Sequence, residues 1–210
     1  MTTRETVGPT LSPVPSPPPV LNYSVTQPNS STNCIQASMG LELIVLNSDE
    51  KERYFNIERY GTTSTGTCGE DKSNLNITFN KGFISITFKK SEDSYYISEI
   101  EAVLKVSPQG MLYNGNITNQ QLFKTSLGYS FKCASKQTVM LAHNFQFRTV
   151  YTQLQAFSIN NNKFGKVSQC SADHNIVPVA VGVMVVILIV LGLIIYGIYL
   201  KCKSDGYQRI

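Results

Sequence analysis

The sequence predicts an all-β, antiparallel, two-sheet domain followed by one C-terminal transmembrane helix. Three observations carry this. Between Cys34 and Ile159 apolar residues recur with a period of two, and no stretch holds a 3.6-residue period. From Ile176 to Leu200 runs an uncharged stretch of 25 residues, apolar apart from Gly, Pro and Tyr, where about 20 suffice to cross a bilayer. Before that run stand four cysteines, Cys34, Cys68, Cys133 and Cys170, far apart and without the C-x-x-C spacing of zinc or redox sites.

Residues 1–30 read as a Pro/Thr/Ser-rich hinge or linker, with six prolines between Pro9 and Pro19. Such a segment buries no core and extends as polyproline II. The domain is expected over residues 31–172. Its first strand signal is Leu41-Glu-Leu-Ile-Val-Leu46, a strongly apolar run. Leu75, Ile77 and Phe79 then alternate with Asn74, Asn76, Thr78 and Asn80, and Ile84, Ile86 and Phe88 with Ser85 and Thr87. Asn80-Lys-Gly82 between these two runs predicts a hairpin. A long strand follows from Tyr95 to Val106, closed by Pro108 and Gly110. Val139, Leu141, His143, Phe145 and Phe147 share one face, and Gln153 to Ile159 continues the strand character. Eight or more strands in two packed sheets are expected.

Four cysteines allow three pairings. The consecutive one, Cys34–Cys68 and Cys133–Cys170, is favoured because each bond closes a similar loop, worth roughly 3–4 kcal/mol in the loop-entropy account. An immunoglobulin sandwich is disfavoured: the chain has no Trp, and its cysteine spacings are short for a bridge between sheets.

The membrane-spanning helix is placed at 176–200. Pro178 sits in its first turn, where a missing N–H costs least, and Tyr196 and Tyr199 lie near the far end, where amphipathic rings favour the interface. Lys201 and Lys203 follow the span, so residues 201–210 are expected in the cytosol and residues 1–175 in the lumen or outside. No apolar segment stands behind Met1-Thr-Thr-Arg-Glu5 to act as a cleavable leader, so the chain reads as a fragment, an alternative start, or a mature form. Four Asn-x-Ser/Thr sequons, at Asn22, Asn29, Asn76 and Asn116, all lie on the luminal side and are candidate N-glycosylation sites. Asn76 falls on the polar face of its strand, where a glycan would have to be. Cys202, at the cytosolic face, is a candidate for palmitoylation.

The tail, 201–210, carries Gly206-Tyr-Gln-Arg-Ile210. Tyr207 and Ile210, three apart, form the Tyr-x-x-aliphatic pattern that clathrin-adaptor subunits read by adding an extended peptide to a sheet edge, with two pockets for the side chains. Gly206 leaves the entry unencumbered. So short a tail holds no enzyme and no folded module.

Other function classes find little support. The net charge of +4 divides as 15 Lys/Arg against 13 Asp/Glu before residue 176 and three against one after it, with no basic stripe for nucleic acid. The two histidines make poor general bases: His143 reads as a core or edge residue in mid-strand, and His174 lies just above the span. Glu92 and Asp93 are neighbours on a turn rather than a facing carboxylate pair. No nucleophile elbow or metal spacing stands out, so no catalytic residue, metal or cofactor is assigned.

The chain resembles the lysosome-associated membrane glycoprotein family over nearly its full length. The segments that carry the resemblance are Cys34-Ile-Gln-Ala-Ser-Met-Gly-Leu-Glu-Leu43, Gly66-Thr-Cys-Gly69, Gly128-Tyr-Ser-Phe-Lys-Cys133, Val150 to Phe157 and the ending Gly206 to Ile210. The resemblance implies a β-prism luminal domain with the consecutive disulfide pairing, and residence in late endosomal and lysosomal membranes with passage through the plasma membrane. The expected protein is a non-enzymatic type I glycoprotein whose partners are the lipid bilayer, clathrin adaptors and, through the luminal domain, a homo- or hetero-oligomer. The alternative is a surface or endosomal receptor whose β domain captures a ligand and whose tail drives its endocytosis. With two histidines, the domain is expected to change little in stability between pH 7 and pH 5.

Overall fold

The computed structural model describes residues 10–47, 49–80, 82–106, 110–174 and 176–205. The chain builds part of one sheet, completes a second, and returns. First come β1 (Val20–Thr26), β2 (Asn33–Leu46) and β3 (Glu52–Asn56). The second sheet follows without interruption: β4 (Thr63–Thr67), β5 (Lys72–Phe79), β6 (Gly82–Ser91), β7 (Ser94–Val106), β8 (Met111–Ile117) and β9 (Leu122–Ser126). β10 (Tyr129–Cys133), β11 (Gln137–Ala142), β12 (Phe145–Ala156) and β13 (Lys166–Gln169) then rejoin the first. The seven-stranded sheet has the order β1-β2-β12-β10-β13, with β3 also on β2 and β11 also on β12; the six-stranded sheet runs β4-β5-β6-β7-β8, with β9 on β7.

The period-two pattern is the reason for this arrangement. In β5 the buried positions are Ser73, Leu75, Ile77 and Phe79, and in β7 Ile100, Ala102, Leu104 and Val106 alternate with exposed or half-buried residues. The two sheets meet through these rows and through aromatic pairs that reach across: Phe55 on Phe79 at 5.6 Å between ring centroids, Tyr113 on Phe145 at 6.2 Å, and Phe123 stacked on Phe131 at 4.7 Å. Tyr95 of β7 is fully buried, and its hydroxyl donates to the carbonyls of Tyr129 (2.8 Å) and Leu154 (3.3 Å) on the other sheet. Burial pushes its phenol well above the usual range, so it stays a donor. Tyr95→Phe is expected to lower the unfolding free energy by about 1–2 kcal/mol, because it removes the donor from two buried carbonyls. Urea denaturation of wild type and variant measures this directly.

Cys34 is bonded to Cys68 and Cys133 to Cys170, with Cα–Cα distances of 5.8 and 5.2 Å. The first bond joins β2 of one sheet to the residue after β4 of the other. The spacing argument against a bridge between sheets therefore fails, since the chain crosses from sheet to sheet between β3 and β4.

Three further expectations are corrected. The sheets are not wholly antiparallel: β13 pairs with β10 in parallel, Tyr129 opposite Lys166 through Lys132 opposite Gln169. The linker does not extend to residue 30, because Val20–Thr26 form β1 on the edge of β2, and Ser12 already bridges Tyr54 of β3. Alternation of Leu21, Tyr23 and Val25 into the core explains the strand; the prolines upstream obscured it. His143 is not in mid-strand. It lies exposed in the turn between β11 and β12, where a register shift after Met140 ends the shared face. The helix that holds the predicted span, 176–200, continues to Asp205.

Beyond Cys170 lies a second unit, with α1 (Ser171–His174) and α2 (Ile176–Asp205). Within α2, Gly182–Lys201 is long and apolar enough to cross a membrane, and none of it is covered by protein. A helix apolar on every face and left uncovered suits lipid rather than water.

Candidate functional site

The outward row of β2 holds Gly40, Glu42 and Ile44, opposite Val150, Arg148 and Gln146 of β12. The inward row, Leu41, Leu43 and Val45, belongs to the core. Glu42 is therefore on the outer face, yet only 2% exposed. Its cover is the proline-rich segment. Asn56 Nδ2 donates to Ser16 Oγ (2.9 Å), and the Ser12–Tyr54 bridge fixes the segment at its other end. Pro18 then lies directly over Gly40, where a Cβ would meet the Pro18 carbonyl at 3.0 Å and a Val150 methyl at 2.7 Å. Only glycine permits that approach.

Under this cover Arg148 Nη1 donates to Glu42 Oε2 at 2.8 Å, and Arg148 Nε donates to Thr138 Oγ1 at 3.1 Å. Glu42 Oε1 is buried without a hydrogen-bond partner. Burial raises the Glu42 carboxyl above its ordinary value, and the charge and hydrogen bond of Arg148 only partly offset that. A cavity of about 320 Å³ opens beside the pair, between Pro15–Pro18 on one side and Ala134–Lys136 and Tyr151 on the other. Chemically this is a buried ion pair joined by one hydrogen bond, with the second Glu42 oxygen left without a partner. The sequence reading missed it. The available signal was Glu42 itself, a lone charge in the run from Leu41 to Leu46.

The candidate sequence sites are scattered. Asn22, on β1, and Asn29, in the β1–β2 turn, are exposed, as is Asn116 on β8. Asn76 sits on the outer side of β5 but is half-buried between its neighbours Thr65 and Ser85, and its Oδ1 is shielded without a partner. Glu92 and Asp93 are exposed in the β6–β7 turn. Cys202 falls in the last turn and a half of α2. Gly206, Tyr207 and Ile210 lie outside the described residues.

The model of the luminal domains of lysosome-associated membrane glycoprotein 2-like proteins matches residues 8–171. Human lysosome-associated membrane glycoprotein 3 is 44% identical over 206 residues, 97% of this chain. The chain belongs to the lysosome-associated membrane glycoprotein family. The Chinese hamster (Cricetulus griseus) lysosome-associated membrane glycoprotein 2 is 32% identical over 96% of the chain. The chain spans about half the length of these relatives, 49% of each. Among solved structures, human LAMP-3 (DC-LAMP) has a TM-score of 0.69 at 42% identity, covering 73% of this chain and 99% of that one. The membrane-proximal domain of mouse LAMP-1 has the same fold, with a TM-score of 0.66 at 24% identity, 74% of this chain and 99% of that one. The longer family segments, Cys34–Leu43 and Val150–Phe157, are the facing stretches of β2 and β12, the two central strands of the seven-stranded sheet.

Proposed function

We propose that this family member is a non-enzymatic, single-pass type I glycoprotein of lysosomal and late endosomal membranes, delivered by clathrin adaptors that read its tail. The observation that carries the reading is placement: Gly206-Tyr-Gln-Arg-Ile210 begins immediately after an apolar helix that ends at Asp205. The relatives' own names place them at lysosomal membranes, and the two disulfides and four sequons suit a luminal domain exposed to proteases. In this account the tail pairs its backbone with an exposed strand edge of the adaptor while Tyr207 and Ile210 fill two apolar pockets. Passage through the plasma membrane, palmitoylation of Cys202 and association through the luminal domain belong to the same proposal.

With the chain expressed behind a cleavable leader, wild type is expected in lysosomes and Tyr207→Ala at the cell surface. Tyr207→Phe keeps the ring and loses the hydroxyl's hydrogen bond, and is expected to distribute between the two. Surface biotinylation and lysosomal colocalisation provide the measurement. Wild type and Tyr207→Ala both resident at the surface would overturn the sorting reading in favour of a surface receptor.

A further inference from the structure

A second concavity on the outer face of the seven-stranded sheet has a different chemistry from the cavity beside Glu42. Asn22 and Ser24 of β1 stand opposite Ser38 and Gln36 of β2, and Gln153 of β12 lies beside Ser38 on the far side. With Phe164, these amides and hydroxyls line an open cavity of about 370 Å³, within the size range of small-ligand sites. Gln36 Oε1 is shielded there without a hydrogen-bond partner, whereas Gln153 Nε2 is committed to Ser130 Oγ at 3.1 Å.

Two aromatic residues line it, Tyr23 on the buried row of β1 and the half-exposed Phe164, and Phe164 is held rather than loose. Gly165 N donates to Gln155 Oε1 at 2.7 Å, and Asn162 is tied to the β1–β2 turn through Asn33 N (2.7 Å) and the Ser31 carbonyl (2.7 Å). The half-buried ring thus faces a polar floor from a fixed position. A flat ring beside converging amides and hydroxyls matches one ligand class well, a sugar. Its C–H face lies on an aromatic surface while its hydroxyl and acetamido groups exchange hydrogen bonds with amide side chains. The wall of the same cavity is Asn22, the exposed acceptor residue of the sequon Asn22-Tyr-Ser24, and Ser24 lines it too.

We infer that the concavity seats the first N-acetylglucosamine of a glycan on Asn22, its face against Phe164 and its hydroxyl and acetamido groups over the polar floor of β1, β2 and β12. This rests on the luminal, glycosylated reading above. The modification forms a bond from Asn22 Nδ2 to the anomeric carbon of a lipid-diphosphate-linked oligosaccharide; the amide loses one proton and the lipid diphosphate leaves. Because the sugar is tethered to the cavity wall, docking is intramolecular, and even weak contacts hold it at a high effective concentration.

The test uses the full chain, secreted-pathway glycosylated and held in detergent. Mass spectrometry is expected to find Asn22 occupied, and Asn22→Gln to lower Tm by about 2–4 °C. Phe164→Ala should lower Tm in the glycosylated protein but far less in the Asn22→Gln background. Trimming to a single N-acetylglucosamine with an endoglycosidase should preserve the difference. In NMR, the acetamido methyl of that sugar should be displaced by the Phe164 ring current and return to its free position in Phe164→Leu, which separates contact from a general loss of fold. Equal losses from Phe164→Ala in both backgrounds, or a methyl resonance at its free position, would overturn the docking. Occupancy at Asn29 and Asn116 with none at Asn22 also overturns it while leaving the luminal reading intact. An absence of glycans at every sequon sinks both together.

Discussion

Arg148→Met is expected to cost about 3–5 kcal/mol of folding stability at pH 7 and distinctly less at pH 5. Methionine keeps the apolar stem over the sheet and removes the guanidinium that donates to Glu42 Oε2. Glu42, 2% exposed and already lacking a partner at Oε1, is then a buried carboxylate with no hydrogen-bonded cation and only the weaker pull of Lys136 to offset its charge. The pH dependence follows from the direction of its shift. Burial holds the folded-state value above the ordinary carboxylate range, and loss of Arg148 raises it further. The folded protein therefore binds this proton more tightly than the unfolded chain. Stability from this group is fully present below the unfolded value of about 4.3 and is lost as pH rises through the folded one. Acidifying from pH 7 to 5 lets the variant recover by protonating Glu42. Glu42→Gln/Arg148→Met, with no charge left to bury, should lie close to wild type at both values. Urea unfolding of the three proteins at pH 7 and 5 decides the matter; an equal loss for Arg148→Met at both would show that the missing contact is packing and not charge.

The same pair refines the expectation of a pH-insensitive domain, which rested on counting histidines. His143 is exposed in a turn. Glu42 is a group that couples to acidity, and in wild type the sign of its shift favours the folded state as pH falls. An acidic compartment does not strain this site.

Much of the fold was legible because one side of each strand is buried. Leu75-Asn-Ile-Thr-Phe79 and Ile84-Ser-Ile are written in the period that β5 and β6 adopt, and Asn80 and Gly82 flank the hairpin between them. β1 and β13 were not legible for opposite reasons. β1 has clean alternation but begins one residue after a run of prolines, and composition outweighed periodicity. β13 is four residues with no buried apolar row, and its existence depends on β10 and the disulfide beside it. His143 was misplaced because two strands in register across a two-residue turn mimic one long strand until the bulge after Met140 breaks the face.

The site was less readable than the fold. Glu42 and Arg148 are 106 residues apart, and neither signals its partner. Their encounter depends on β2 and β12 being central neighbours in antiparallel register, which places Glu42 directly opposite Arg148. Phe164 is further removed still, since it sits in a connection with no strand period, and what holds that connection beside the β1–β2 turn is Asn162, which accepts from Asn33 N and donates to the Ser31 carbonyl. The tail is the contrary case. The signal proposed for it is four residues with their spacing behind an apolar helix, and a linear motif needs no fold to be recognised.

Cys133→Ala/Cys170→Ala is expected to lower stability by roughly 3–4 kcal/mol, about 10 °C in Tm, and to release β13 before the rest of the domain. The bond closes a separation of 37 residues, so the chain-entropy term is nearly that of Cys34–Cys68, with its separation of 34. The local consequences differ. Cys34–Cys68 ties together two sheets that also share a core, whereas β13 has β10 as its single strand neighbour and ends at the disulfide, where Cys170 N donates to the Lys132 carbonyl. Without the bond, four residues of parallel edge pairing carry the strand alone, and short edges fray. Hydrogen exchange should therefore show β13 amides losing protection in this variant well below the global transition, while Cys34→Ala/Cys68→Ala loses protection across both sheets at once. A broad-specificity protease at pH 5 should cut the first variant near Lys166–Gln169 and leave wild type whole. If both double variants lose protection in the same uniform way, β13 is not a separable unit, and the second disulfide acts on the unfolded chain alone.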